Sequence, residues 1–153
     1  MRASHAAAPG AGADRGASGA FRMLALDTSV VVRLILAAPA AQAEVAREAL
    51  LQAERNGDTA IITDTVVGEA YFALRHHYGM PEAEVLHALG RLLESGLVVA
   101  EPAAVLAAFP KTGGAAFMDR LIRARYQALG ATTLTFDRRM ARLGGAKRLS
   151  RAL

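Results

Sequence analysis

MLALDTSVVVRLIL, residues 23–36, decides the fold. Its first five residues are a short apolar run ending in an acid, the pattern of a buried strand that closes at Asp27. Thr28 and Ser29 then offer capping hydroxyls, Asp27 is itself a capping residue type, and Val30 to Leu36 continue as a short apolar helix. A strand that passes straight into a helix is the opening half of a βαβ unit.

The alternation recurs along the chain. After Pro39, Val45, Ala46, Ala49, Leu50 and Ala53 recur at helical spacing until Gly57. TAIIT (59–63) reads as a second strand, and Asp64 or Thr65 caps a helix carrying Val66, Val67, Ala70, Leu74 and Tyr78 that stops at Gly79. Pro81 opens a helix with Val85, Leu86, Leu89, Leu92 and Leu93 on one face, and LVVA (97–100) is a third strand. Residues 102–109 suggest a short helix and 111–114 a loop. Residues 117–129 suggest a helix with Leu121, Ala124 and Leu129 inward, and ATTLT (131–135) a fourth strand. Residues 136–143 read as helical, and Gly144-Gly145 break the chain before a short basic tail. The expected class is α/β, a parallel sheet with helices on both faces. In such sheets the site lies outside the carboxyl ends of the strands.

The chain has 153 residues, 53% of them hydrophobic, which suits one domain with a real core over 23–153. With no cysteine, disulfides, thiolate zinc sites and cysteine nucleophiles are excluded. The histidines, His5, His76, His77 and His87, lack metal-ligand spacing, and the His76-His77 pair reads either as an RNA contact or as a solvated helix end. No apolar run approaches the roughly 18 residues of a membrane span. Residues 1–22, rich in Ala, Gly and Ser, are expected to be a disordered tail without a secretory apolar core, with Met23 a candidate start. The expected location is the cytoplasm. Net charge is +2 over 1–22, −6 over 23–110 and +8 over 111–153, so the last segment suits a polyanion or an acidic partner.

Four acids fall where the sheet edge should lie. Asp27 ends the first strand, and Glu69 is about a turn into the helix after the second. Asp119 opens the helix after the Gly113-Gly114 loop, and Asp137 follows the fourth strand. Each alone has an ordinary reading as a cap, a dipole partner or an ion-paired surface acid. Val66, Val67, Ala70 and Phe72 put Glu69 on or near an apolar face, where a lone carboxylate costs several kcal/mol. Together the four suggest a carboxylate cluster whose members raise one another's pKa until a divalent cation relieves them. All-oxygen ligation suits Mg²⁺ or Mn²⁺, and phosphodiester hydrolysis is the chemistry such a site fits best.

The segments LDTSVVVRLI (26–35), ITDTVVGEAYFALRHHYGM (62–80) and FMDRLIRARYQALGATTLTFDRRMARLGG (117–145) resemble the sequence blocks of PIN-domain ribonucleases, in order and spacing, over residues 23–150. The likeness extends to the VapC-like toxins of bacterial VapBC toxin–antitoxin pairs. It implies a three-layer α/β/α sandwich with a mostly parallel sheet, dependence on Mg²⁺ or Mn²⁺, and endonucleolytic cleavage of RNA. It implies Asp27, Glu69, Asp119 and Asp137 as catalytic and metal-binding acids, supported by the hydroxyls of Thr28, Ser29 and Thr135. It also implies a cognate antitoxin, and the apolar content suggests a homodimer. Ala115 and Ala116 stand where many relatives carry another acid. Arg120 and Arg123 replace small apolar residues, and with Arg138 they are candidates to hold RNA phosphate, although Arg123 is also placed to pair with Asp119. A haloacid-dehalogenase-type phosphatase would need an Asp at Ser29, and a receiver-type phosphoacceptor a lysine after a late strand, where only Lys111 and Lys147 are available. A module that keeps the fold and binds RNA or protein without cleaving it is the remaining alternative.

Overall fold

The structure, a computed structural model, describes residues 21–109 and 117–150. Strand β1 (Met23–Ala25) leads into α1 (Thr28–Leu36), α2 (Ala40–Asn56) and β2 (Thr59–Thr63). Helix α3 (Asp64–Phe72) runs on into a π-helical turn (Ala73–His77), and α4 (Glu82–Glu94) precedes β3 (Val99–Glu101). A 3-10 segment (Ala103–Ala108), α5 (Phe117–Ala128), β4 (Thr133–Thr135), a 3-10 turn (Met140–Arg142) and β5 (Ala146–Arg148) follow. β1, β2 and β3 form a parallel sheet in that spatial order, with Ala25 beside Ile61 and Thr63 beside Glu101. Their carboxyl ends therefore share one edge, and α1 and α3 both start from it.

The core is built as the apolar spacing predicts. Val31, Ile62, Val67, Leu74, Val85, Leu89, Val105 and Phe117 are all but inaccessible to solvent. Helix α4 turns Val85, Leu86, Leu89 and Leu93 inward, the face expected of it. Phe117 lies between Tyr71 and Phe109, its ring centroid 4.9 and 5.0 Å from theirs. Helix α5 meets α3 at Gly68, where a Cβ would stand 3.1 Å from Met118 Cε and 3.3 Å from Leu121 Cδ2. A larger residue there would require the Met118 and Leu121 side-chain ends to give way by a few tenths of an ångström. The same junction carries an Arg125–Asp64 fork, in which Arg125 Nε donates to Asp64 Oδ2 at 2.7 Å and Nη2 to Oδ1. Asp64 is thus an ion-paired first residue of α3, and the cap is Thr63, whose hydroxyl accepts from Val66 N.

The last third departs from the sequence-based expectation. β4 does not join the main sheet but pairs in parallel with β5 in a second sheet. The basic stretch read as a tail is thus a strand. Gly145, at φ +81°, turns the chain so that Thr133 N donates to Gly145 O at 2.9 Å and 146–148 lie along 133–135. Three residues, Ala-Lys-Arg, are too few to show a strand's alternation. Residues 136–143 are not a helix, because only Met140–Arg142 forms a 3-10 turn. Leu129 is 69% exposed rather than inward, since α5 ends at Ala128. Val45 and Tyr78 are exposed as well. The expected loop at 111–114 and Ala115 and Ala116 lie outside the described residues.

Candidate active site

Asp27 sits two residues past β1 and caps α1. Its Oδ1 accepts from Val30 N at 3.1 Å and from Ser29 Oγ at 2.7 Å. The described hydrogen bonds leave Oδ2 unused. The next residue, Thr28, donates its hydroxyl to Glu69 Oε2. That bond joins the start of α1 to the second turn of α3 and brings two blocks of the sequence to one edge of the sheet. Glu69 itself is exposed. The apolar-face reading is therefore corrected: α3 buries Val67, Gly68, Ala70 and Tyr71, and this rotation turns Glu69 outward. It borders a cleft of about 490 Å³ shared with Thr28, Ser29, Arg33, Phe72, His76 and Tyr78. It also borders a smaller one of about 260 Å³ shared with Met118, Leu121 and Ile122 of α5.

Asp119 lies in the first turn of α5, half-buried, beside the residues that line that smaller cleft. Asp137 follows β4 and is exposed. Its Oδ1 accepts from Arg139 N at 2.6 Å and Met140 N at 2.9 Å, while Thr135 Oγ1 accepts from Asp137 N at 3.0 Å. Asp137 and Thr135 thus shape the turn after β4. Among the described residues, no three Asp, Glu or His side chains converge at metal-binding separation. What the fold draws together is Thr28, the residue after the Asp27 cap, and Glu69. Arg123 Nη1 donates to Gly144 O at 2.9 Å and, among the described residues, makes no ion pair with Asp119. Arg120 is half-buried and Arg138 exposed.

For Asp27 and Asp137, local hydrogen bonds rather than mutual repulsion set the direction of the shift. The Ser29 hydroxyl, then the Val30 N–H, hold Asp27 below the usual carboxylate pKa. The N–H groups of Met140 and Arg139 do the same for Asp137, and the Arg125 guanidinium does so for Asp64. A folded pKa below the unfolded one means that stability is complete above about pH 4 and is lost as pH falls through the depressed values. The melting temperature should therefore decline in acid, and less steeply in Asp64→Asn. A melting temperature independent of pH in that range would show that these bonds do not form.

Arg33, Phe72, His76 and Tyr78 were not singled out together by periodicity, because they come from α1, the end of α3 and the π-helical turn beyond it. The available signal was a surplus of aromatic and basic side chains in YFALRHHY (71–78). Among the described residues, no single helix is long and apolar enough to cross a membrane.

Residues 24–146 match the family model described as PIN domain. The chain belongs to the PIN domain family, generally a nuclease fold, and its architecture is that family's three-layer α/β/α sandwich. No curated protein and no solved structure matches it.

Proposed function

We propose that this chain is a metal-dependent endoribonuclease acting as the toxin of a toxin–antitoxin pair. The observation that carries the nuclease reading is the Thr28–Glu69 hydrogen bond, which spans 41 residues of sequence and ties Glu69 to the residue that follows the Asp27 cap. The donors suit a hard cation. They are oxygen only, Asp27 is held anionic with one oxygen unused by the described bonds, and Mg²⁺ needs only one or two carboxylates besides water and phosphate. Asp27 and Glu69 would hold the ion, with Asp119 and Asp137 as further candidates. A bound divalent ion supplies water activation and charge neutralisation at a phosphodiester. The protein's own part is positional. Asp27 is fixed by the α1 N-terminus, Thr28 orients Glu69, and the exposed Glu69 carboxylate would accept the proton of the attacking water. As the new P–O bond forms, the bond to the leaving sugar oxygen breaks, that oxygen takes a proton from bulk water, and Glu69 returns its own to solvent. Arg120 and Arg138 are candidates for the neighbouring phosphates.

A second reading, a binding module without cleavage, draws on Asp137 being committed to the turn after β4 and on the absence of a three-acid cluster among the described residues. The partners proposed are RNA, an antitoxin and a second copy of the chain. An apolar cleft of about 580 Å³ between β1 and α2, bordered by Leu24, Val30 and Val45, is available for protein contact. Expression of the chain alone should arrest growth, and co-expression of a small neighbouring gene for the antitoxin should restore it. Arrest that persists in Asp27→Asn would favour the binding module.

A further inference from the structure

The cleft beside Glu69 carries groups that hydrolysis does not need. Phe72 is 48% and Tyr78 55% exposed, although both are large and apolar enough to be worth burying. Core packing does not explain them, because Tyr71 and Leu74 fill the buried side of the same segment. The Phe72 and His76 rings stack, with centroids 5.6 Å apart and planes at 25°. Between them the backbone changes from α to π geometry, closed by Tyr78 N donating to Ala73 O at 3.1 Å, five residues back. Such turns are rare, and single-turn π geometry within helices is found frequently at functional sites. Here His76, His77 and Tyr78 all border the one cleft. The opposite wall carries Arg33, whose guanidinium is held by the Ser29 carbonyl at 3.1 Å and by the Gln42 side chain.

We propose that this cleft is a docking site for an unpaired nucleobase of single-stranded RNA, with the Phe72–His76 pair as its stacking platform and Tyr78 as a second aromatic wall. At about 490 Å³ the space is in the range of small-molecule pockets. Aromatic and imidazole faces are what single-stranded RNA stacks on, and a base inside a duplex presents no free face to them. Arg33 and the two histidines set cationic or hydrogen-bonding groups around the base. A base seated there places the adjoining backbone along the rim formed by Thr28 and Glu69, so the cleft selects which nucleotide flanks the cut. The identity of the ligand as RNA rests on the nuclease reading.

The chain contains no Trp, so Phe72→Trp introduces a single indole into the cleft. Titrated in chelator with a short single-stranded oligoribonucleotide, that protein should show quenched emission. The corresponding duplex should not quench it, nor should the single strand quench Leu129→Trp at the far end of α5. In a labelled-oligonucleotide assay, Phe72→Leu and Phe72→Ala should bind about 5- to 100-fold more weakly, with melting temperatures close to the parent's because Phe72 is half-exposed. Indole emission unmoved by the single strand, equal quenching by duplex, or undiminished binding by Phe72→Leu would overturn the proposal. A response to protein concentration alone would also overturn it and assign the surface to protein contact. The titration involves no cleavage, so the two readings separate. Quenching in a protein that never cleaves RNA leaves the base site standing and removes the nuclease. Normal cleavage with unchanged KM in Phe72→Leu does the reverse.

Discussion

If the proposed nuclease reading holds, Asp27→Asn should cleave single-stranded RNA on the order of 100- to 1000-fold more slowly than the parent, because charge stabilisation by a carboxylate-held cation would contribute several kcal/mol to such a reaction. The substitution is chosen for what it leaves intact. Asp27 caps α1 through Oδ1, and Asn is an equally good cap, whereas Ala would cost about 1 kcal/mol of stability and confuse the result. A carboxylate-repulsion view would have the Asn protein melt higher. The structure reverses that sign, since Ser29 and Val30 favour the anion, so its melting temperature should equal the parent's or lie slightly below it. Single-turnover rates beside thermal melts separate the two effects. Parental cleavage by Asp27→Asn would remove this carboxylate from the chemistry.

Phe117→Ala destabilises the fold by about 3–5 kcal/mol, lowering the melting temperature on the order of 10 °C. The ring is 1% exposed and packed between Tyr71 and Phe109. Its removal leaves a cavity where α3, α5 and the end of the 3-10 segment meet, lined by the Tyr71 and Phe109 rings. Asp119 is two residues further on, so the loss should reach the candidate site as well. Chemical denaturation measures the change, and a difference below about 1 kcal/mol would mean that the junction is loosely packed.

The sequence carried this fold as far as Glu101 because the helices there are long and periodic, and the three-residue strands β1 and β3 lie in short apolar runs between them. TAIIT is bounded by turn residues, and α4 repeats its apolar face over 13 residues. Beyond α5 the elements shrink to three residues, too short for a period, and their pairing is set by Gly145 and by backbone bonds instead. At the site, the LDTS stretch pointed to Asp27, since an acid that ends a strand marks the sheet edge. The contact of Thr28 with Glu69 was not legible, because it depends on how α3 is rotated. That rotation is fixed by close approach at Gly68 and by the Asp64–Arg125 fork, both of which couple residues far apart in the chain. Asp64 looked like a cap for the same reason: its partner lies 61 residues away.

Carboxylates at this edge are proposed to hold a divalent ion for RNA hydrolysis. The most direct measurement is the rate of single-stranded RNA cleavage by the purified full chain, first in EDTA and then as Mn²⁺ or Mg²⁺ is added back. Cleavage should be absent in chelator and recover with either ion, and Glu69→Gln should need more metal. Cleavage undiminished in excess EDTA would contradict it.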